Sequence, residues 1–166
     1  MDTPLDIHSL FALTGKTALV SGASSGLGEH FAQVLAAAGA RVIVAARRVD
    51  RLEALVDRIN AAGGEASSIA LDVTSKKSVS NAFEELDSTI SSLDIVINNA
   101  GIANRPLRFV DATEEEWGAV LDVNLIGAWR VAQAAAIRMK KQGSGVVVNT
   151  GSISVSYTHL TLPTKA

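Results

Sequence analysis

Residues 17–28 read TALVSGASSGLG, a short apolar run followed at once by a glycine-rich turn. The run Thr17–Ser21 predicts a β-strand, and the stretch EHFAQVLAAAGA at 29–40 predicts a helix. Glycines let a backbone approach a pyrophosphate closely, and the free N–H groups at a helix N-terminus stabilise its charge. We therefore predict a cofactor-binding loop; a glycine-rich turn without a ligand is the alternative. The residues of this loop are Gly22, Ser24, Ser25, Gly26, Leu27 and Gly28.

The rest of the chain alternates apolar runs with longer amphipathic stretches. Strands are predicted at Arg41–Ala46, 66–73, 94–101 and 143–152, and helices at 49–64, 75–92 and 113–141. Strands separated by helices are typical of βαβ crossovers, which build a parallel sheet covered on both faces. The pattern predicts an α/β fold, a Rossmann-type doubly wound parallel sheet in three layers. The first helix is expected to turn one apolar face inward, formed by Phe31, Val34, Leu35 and Ala38.

The helix predicted at 113–141 carries two further signals. Thr113 and Glu116 have the spacing of a capping box. Gly127 marks either a bend or a close contact. Asn124 lies in an otherwise apolar stretch, so its amide should have a partner, either backbone or water.

The end of the second predicted strand indicates which nucleotide the loop would take. A site for NAD usually carries an acid there, about 20 residues past the glycines. Here the strand ends at Ala46, 24 positions after Gly22, and Arg47 and Arg48 follow. A guanidinium pairs well with a 2′-phosphate, so the sequence favours NADP(H) over NAD(H). Two alternatives stay open: both arginines open a solvated helix, or Asp50 reaches the ribose.

The composition excludes several classes of function. The chain has no cysteine, which excludes thiolate catalysis and disulfides, and its three histidines, at 8, 30 and 159, lack metal-ligand spacing. Its net charge of −2 offers no basic surface for nucleic acid or an anionic membrane. No signal peptide is recognised, and no apolar stretch is expected to reach transmembrane length. We expect a cytoplasmic protein with a small-molecule partner, no metal, no nucleic acid and no membrane.

Five motifs in order, from about residue 14 to residue 154, resemble the short-chain dehydrogenase/reductase family, especially its 3-ketoacyl-carrier-protein-reductase-like members. They are TGKTALVSGASSGLG from residue 14, LDVT at 71–74, NNAG at 98–101, LDVNLIG at 121–127 and VVVNTGS at 146–152. Ser21 stands where the family usually has threonine. The resemblance implies that Asp72 and Val73 contact adenine. It further implies a cofactor wall of Asn99, Ala100 and Gly101, a sheet brace at Asn98, and catalytic roles for Asn124 and Ser152.

The family's reaction moves hydride between nicotinamide and a carbonyl or secondary alcohol. Its proton donor is a tyrosine about a dozen residues after the serine, with a lysine four residues further on. Here Tyr157 follows Ser152 by five residues, position 161 is threonine, and Pro163 interrupts any helix that would carry both groups. We therefore do not credit Tyr157 with catalysis. One alternative is that the 166-residue chain itself is an inert nucleotide-binding fragment. A further alternative is an NAD(P)-dependent epimerase or dehydratase.

The last twelve residues, VSYTHLTLPTKA, resemble a translated sequencing adapter. We therefore expect an N-terminal extension at 1–14, a partial dinucleotide-binding domain at 15–154 and a non-native tail at 155–166. The family's last strands and its Tyr/Lys helix would then be missing. The resemblance implies a homotetramer or homodimer for the parent protein. For the chain as written we predict marginal stability and aggregation, because the fifth strand would become an edge.

Overall fold

A computed structural model describes residues 10–103 and 111–151. Its strands are β1 (Thr17–Ser21), β2 (Arg41–Ala46), β3 (Glu65–Ala70), β4 (Ile95–Asn98) and β5 (Val146–Asn149). Its helices are α1 (Gly26–Ala37), α2 (Val49–Ala61), α3 (Lys76–Thr89), α4 (Glu114–Leu121) and α5 (Ala128–Gln142), with a π-helical turn at Asp122–Gly127 joining α4 to α5. Most of the predicted N-terminal extension, and the whole of the predicted tail, lie outside the described residues.

The five strands form one parallel sheet in the order β3-β2-β1-β4-β5. The chain runs outward from β1 to β3 and then returns to β4 on the other side of β1. This reversal is the switch point at which doubly wound sheets place their ligands, outside the carboxyl ends of the strands. The predicted Rossmann-type parallel sheet is confirmed.

Alternate residues of the central strands enter two separate cores. Leu19 and Ile43 face one core, together with Phe83 of α3 and Val131 of α5. The residues of these strands that face the other way pack with α1 and α2, and the members of this second core include Val20, Val42, Val44, Ala32, Leu52 and Leu55. The structure therefore has the predicted three layers.

The inward face of α1 differs from the predicted one. Its buried residues are Gly28, Ala32 and Ala36, which recur every four positions. Val34 is 52% exposed, and Phe31 and Leu35 are only partly buried. Small side chains let α1 lie close to the sheet, and larger apolar residues flank the contact. The prediction followed hydrophobicity and was wrong about Val34 because close approach selects for size.

The stretch Glu114–Gln142 is helical throughout, as predicted, but it is not uniform. The capping box of Thr113 and Glu116 is confirmed by reciprocal hydrogen bonds of 3.2 and 3.0 Å. A π-helical turn follows, and Gly127 is in close contact, since a Cβ there would lie 2.7 Å from Val73 Cγ2. This 29-residue stretch also meets the length and mean hydropathy (1.2) of a membrane span, contrary to expectation. Its buried side chains, however, pack on the sheet.

Three strands are shorter than their predicted segments, and one of them is β4, which comprises only Ile95–Asn98 of the predicted 94–101. β3 ends at Ala70, so residues 71–73 belong to the loop that follows it. β5 comprises only Val146–Asn149 of the predicted 143–152. In each case the ladder of paired residues ends before the predicted segment does, at Ala70, Asn98 and Asn149, and the chain continues as a loop.

Candidate functional site

A cleft of about 400 Å³ opens at the carboxyl ends of β1 to β4. Of the residues predicted to bind a cofactor, all but Gly26 and Gly28 line it. The sequence did not single out Ala46, Leu71, Thr74, Ile102 or Val123, which also line it. Leu71, Thr74 and Val123 lie inside quoted motifs but were given no role, and Ala46 and Ile102 lie outside the motifs. The glycine loop and the residues that follow β2, β3 and β4 therefore meet at one cleft.

The glycine loop is packed so tightly that two of its glycines admit no side chain. A Cβ on Gly22 would lie 2.8 Å from Ala100 Cα, and one on Gly28 would lie 2.6 Å from Asn99 Nδ2 and overlap the carbonyl oxygen of Gly22. Gly22 and Gly26 adopt φ of 69° and 62°, in the left-handed region that favours glycine. The spacing of the three glycines therefore reflects a left-handed backbone at Gly22 and Gly26 and close contacts at Gly22 and Gly28.

Ser21, at the end of β1, links the glycine loop to the segment after β4. Its fully buried hydroxyl accepts hydrogen bonds from the backbone N–H groups of Asn99 and Ala100, each at 3.0 Å. The side-chain amide of Asn99 donates to the carbonyl of Ser21 at 3.3 Å. The cue in the sequence was a hydroxyl at the end of a buried apolar strand, where it needs partners.

Asn98 braces the sheet, as expected. Its side chain is buried, and Nδ2 donates to the carbonyl of Ala128 at 2.8 Å and to Asn149 Oδ1 at 2.9 Å. The backbone N–H of Thr150 donates to the Asn98 carbonyl at 3.1 Å. Asn98 therefore joins β4, β5 and α5 beside the cleft.

The two arginines after β2 have different surroundings. Arg48 donates through Nη2 to the hydroxyls of Ser24 and Ser25, both at 2.8 Å, and through Nε to Ser24 at 3.2 Å. Arg47 lines the same cleft, and its charge acts on the carboxylate of Asp72. A guanidinium and two hydroxyls at one end of a cleft form a group of donors suited to a phosphate.

Asp72 is held as a carboxylate on the opposite wall. Its Oδ1 accepts from the Thr74 hydroxyl at 2.8 Å and from the Thr74 backbone N–H at 3.0 Å. The hydroxyl hydrogen bond is the main cause that lowers the pKa of Asp72; partial burial opposes it, and the backbone bond and Arg47 assist. Asp72 is thus fixed as an acceptor at neutral pH.

The amide of Asn124 binds backbone, which was one of the two expected partners. Oδ1 accepts from the N–H of Ile102 at 2.9 Å, and Nδ2 donates to the Ile102 carbonyl at 2.8 Å. Asn124 lies inside the π-helical turn, a distortion often found at functional sites. It therefore fixes the segment after β4 from the helix side.

A wider groove of about 600 Å³ adjoins the cleft, between the ends of β4 and β5 and the start of α5. Asn124, Trp129 and Gly151 are among its lining residues. Ser152, the predicted catalytic serine, follows Gly151 directly but lies outside the described residues, as does Tyr157. Within residues 10–103 and 111–151, no three acidic or histidine side chains cluster as a metal site would require.

The sheet order and the glycine-lined cleft at the switch point define a Rossmann-type α/β protein. The family model for short chain dehydrogenase matches residues 16–162, a range that extends past residue 154 into the predicted tail. The chain belongs to the short-chain dehydrogenase/reductase family.

Known relatives agree with this assignment. The chain is 37% identical over 142 residues to a 3-oxoacyl-[acyl-carrier-protein] reductase from Aquifex aeolicus, a match covering 85% of this chain and 57% of the relative. An uncharacterised oxidoreductase from Staphylococcus aureus is 38% identical over 142 residues, with 86% and 60% covered. The chain thus spans a little under two thirds of the length of the curated relatives it matches.

Solved structures resemble the fold closely. A short-chain type dehydrogenase/reductase from Mycobacterium marinum has a TM-score of 0.88 at 37% identity, covering 94% of this chain and 63% of that one. A gluconate 5-dehydrogenase from Burkholderia cenocepacia, solved with NADP and tartrate, has a TM-score of 0.86 at 31% identity, with 93% and 60% covered.

Proposed function

We propose that this chain is the nucleotide-binding part of an NADP(H)-dependent oxidoreductase that acts on a carbonyl compound or secondary alcohol. The observation that carries the proposal is the cleft, which is bordered by the closely packed glycine loop and in which Arg48 binds the hydroxyls of Ser24 and Ser25. The whole protein would act on a small molecule in the cytoplasm as a homotetramer or homodimer, without nucleic acid or membrane partners.

The residues present fit a dinucleotide. Gly22 and Gly28 allow the strand, the helix and the Asn99 segment to approach one another to backbone distance. Ser25, at the N-cap of α1, makes no side-chain capping bond, so it does not compete for the first N–H groups of that helix. A pyrophosphate at this position would accept those N–H groups and meet the positive end of the helix.

The adenosine end would lie between Arg48 and Asp72. The Asp72 carboxylate is fixed by Thr74 and available as an acceptor, and Val73 provides apolar surface beside it. Arg48, its two serine partners and Arg47 would meet a 2′-phosphate with charge-assisted hydrogen bonds. Several structural relatives were solved with NADP, which supports this reading of the arginines.

The chemistry would take place in the wider groove. When bound, NADP(H) supplies or accepts the hydride. Ser152 would hold the substrate oxygen, as the family resemblance implies. Asn124 would keep the Ile102 segment in place through its paired backbone hydrogen bonds, which shapes the border between cleft and groove.

Isothermal titration with NADPH and NADH tests the nucleotide assignment. We expect NADPH to bind at least about tenfold more tightly than NADH, because each lost charge-assisted bond is worth roughly a factor of ten. Arg48→Ala should remove most of this ratio while leaving the affinity for NADH nearly unchanged. Arg51→Ala is the matched control, since Arg51 lies on α2 outside the cleft.

Two outcomes would contradict the assignment in different ways. Equal affinities for NADPH and NADH would remove the preference for the phosphorylated nucleotide. Absence of saturable binding by either nucleotide to a folded sample would remove the proposed function itself.

A second candidate function is nucleotide binding without turnover. Its supporting observation is that the sequence has one tyrosine, Tyr157, with threonine rather than lysine four positions later. An assay of NADPH oxidation with a panel of ketones distinguishes the two candidates. Binding without oxidation supports the second, and oxidation by these 166 residues overturns it.

A further inference from the structure

We propose that Arg130 is a positioning residue that holds the Val73–Thr74 wall of the cleft and ties it to the π-helical turn. The inference rests on the proposed nucleotide site and adds a residue that does not line it. Arg130 lies in the first turn of α5, outside every motif that the sequence analysis used.

The guanidinium of Arg130 connects parts of the chain that are distant in sequence. Its Nη1 lies 3.1 Å from the carbonyl oxygen of Val73, 2.9 Å from that of Thr74 and 3.1 Å from Asp122 Oδ1. The side chain is 22% exposed, so these contacts form in partial shelter from water. Hydrogen bonds with a charged donor in such a position are worth more than neutral ones.

The contact of Arg130 with the Val73 carbonyl helps to hold the Asp72 carboxylate in place. The Val73 carbonyl and the Thr74 N–H belong to one planar trans peptide, so they point in opposite directions. When the carbonyl faces Arg130, the N–H faces Asp72, to whose Oδ1 it donates at 3.0 Å. Arg130 therefore orients, through one peptide plane, a hydrogen bond that holds the carboxylate.

The same wall is also fixed by packing. Gly127 lies so near Val73 that a Cβ would come within 2.7 Å of Cγ2. Val123, in the π-helical turn, lines the cleft, and Asn124 in the same turn binds Ile102. The π-helical turn thus contacts both the Val73–Thr74 wall and the Ile102 segment. Through Asp122, Arg130 also links this turn to the Val73–Thr74 wall.

Arg138 provides a matched comparison on the same helix. It has the same side-chain exposure, 22%, and binds both carboxylate oxygens of Asp87 and the carbonyl of Phe83. None of these residues lines the cleft. If Arg130 merely stabilised the fold, replacing it would resemble replacing Arg138.

The test titrates NADPH into the wild-type chain and into Arg130→Met, Arg130→Lys and Arg138→Met, with thermal melting of each. We expect Arg130→Met to raise the dissociation constant about tenfold. Arg130→Lys should recover part of the loss, since an ammonium still reaches carbonyl oxygens. Arg138→Met should lower the melting temperature and leave the dissociation constant within about twofold.

Hydrogen exchange of the peptide covering residues 71–75, without nucleotide, provides a second readout. Exchange should be faster in Arg130→Met than in wild type or Arg138→Met, and Arg130→Lys should be intermediate. If Arg130→Met does not fold, the comparison of Arg130→Lys with wild type tests the proposal instead. Unchanged exchange overturns the inference, as does faster exchange with an unchanged dissociation constant. If wild type binds no NADPH, the proposed function fails and exchange alone decides the role of Arg130.

Discussion

Gly28 and Gly118 are both helical glycines, but their surroundings differ. An added Cβ at Gly28 meets the backbone oxygen of Gly22 and the amide of Asn99, whereas one at Gly118 meets nothing within 4 Å. We predict that Gly28→Ala lowers the free energy of unfolding by about 1–3 kcal/mol through overpacking. Gly118→Ala should raise it by about 0.5–1 kcal/mol through helix propensity. Chemical denaturation measures both, and equal effects would contradict the close packing assigned to Gly28.

Asp94 connects the amino ends of β1 and β4, far from the cleft. Its carboxylate accepts from the Thr17 N–H at 3.0 Å, from Ser92 at 3.1 Å and from Lys16 at 3.1 Å. Partial burial is the largest single influence and raises its pKa, but these three donors together lower it below the ordinary value. Asp94 therefore contributes stability that is complete above its unfolded pKa, about 3.9.

The resulting prediction concerns acid. Because the folded pKa is the lower one, the contribution of Asp94 is lost as the pH falls through that folded value. Wild type should lose stability below about pH 4, and Asp94→Asn should show a shallower decline. The variant should still lose some stability in acid, because the pKa of Asp72 is also lowered in the folded protein. Melting temperatures measured from pH 7 to pH 3 test this, and parallel profiles would exclude a role for Asp94.

Motifs indicated residues that meet at the cleft where the expected chemistry restricts the residue type. Glycines in left-handed turns, and an arginine placed to bind hydroxyls, can be recognised from a single sequence. Arg130 left none, because its role depends on oxygens 56 and 57 positions away. Val123 and Ile102 were missed for another reason: an apolar wall accepts many side chains.

At the scale of elements, the helix N-termini differ in whether the N-cap side chain accepts a hydrogen bond from the first turn of the helix. The Ser75 side chain caps α3 and accepts a hydrogen bond from the Ser78 N–H at 3.2 Å. Ser25 occupies the N-cap position of α1, but its side chain makes no capping hydrogen bond. We predict that Ser75→Ala lowers the free energy of unfolding by about 1 kcal/mol. Ser25→Ala should change it by less than about 0.5 kcal/mol, since the serine is exposed. A larger loss for Ser25→Ala in denaturant titrations would contradict an open N-terminus.

The elements themselves were predicted to different accuracy. β1 and β2 match their predicted bounds because continuous apolar runs in central strands are unambiguous. The π-helical turn was not foreseen, since α and π geometry share nearly the same apolar pattern. The turn coincides with two long-range contacts, in which Asn124 binds the Ile102 backbone and Gly127 packs against Val73. Those partners are known only once the sheet is assembled.

At the scale of the whole molecule, the part of the chain that the structure describes has an exposed apolar surface. It is the apolar helix face, formed by exposed residues of α4, the π-helical turn and α5: Trp117, Leu121, Leu125, Ile126, Trp129 and Ile137. Beside it, β5 is at the edge of the sheet formed by residues 10–103 and 111–151, and it exposes Val146 and Val148. Within the described residues, an extended apolar face next to an edge strand favours association through hydrophobic burial and strand pairing.

We therefore predict that the 166-residue chain associates or aggregates and melts below about 55 °C, within the mesophile range. Gel filtration with thermal melting measures both properties. Leu125→Gln combined with Trp129→Gln should reduce association, because it removes the two most exposed side chains of the apolar helix face. Val34→Gln removes a side chain of similar exposure, 52%, from α1, outside that face, and should leave association unchanged. A monodisperse monomer melting cooperatively above about 55 °C would mean that the apolar helix face is tolerated in water and drives no contact.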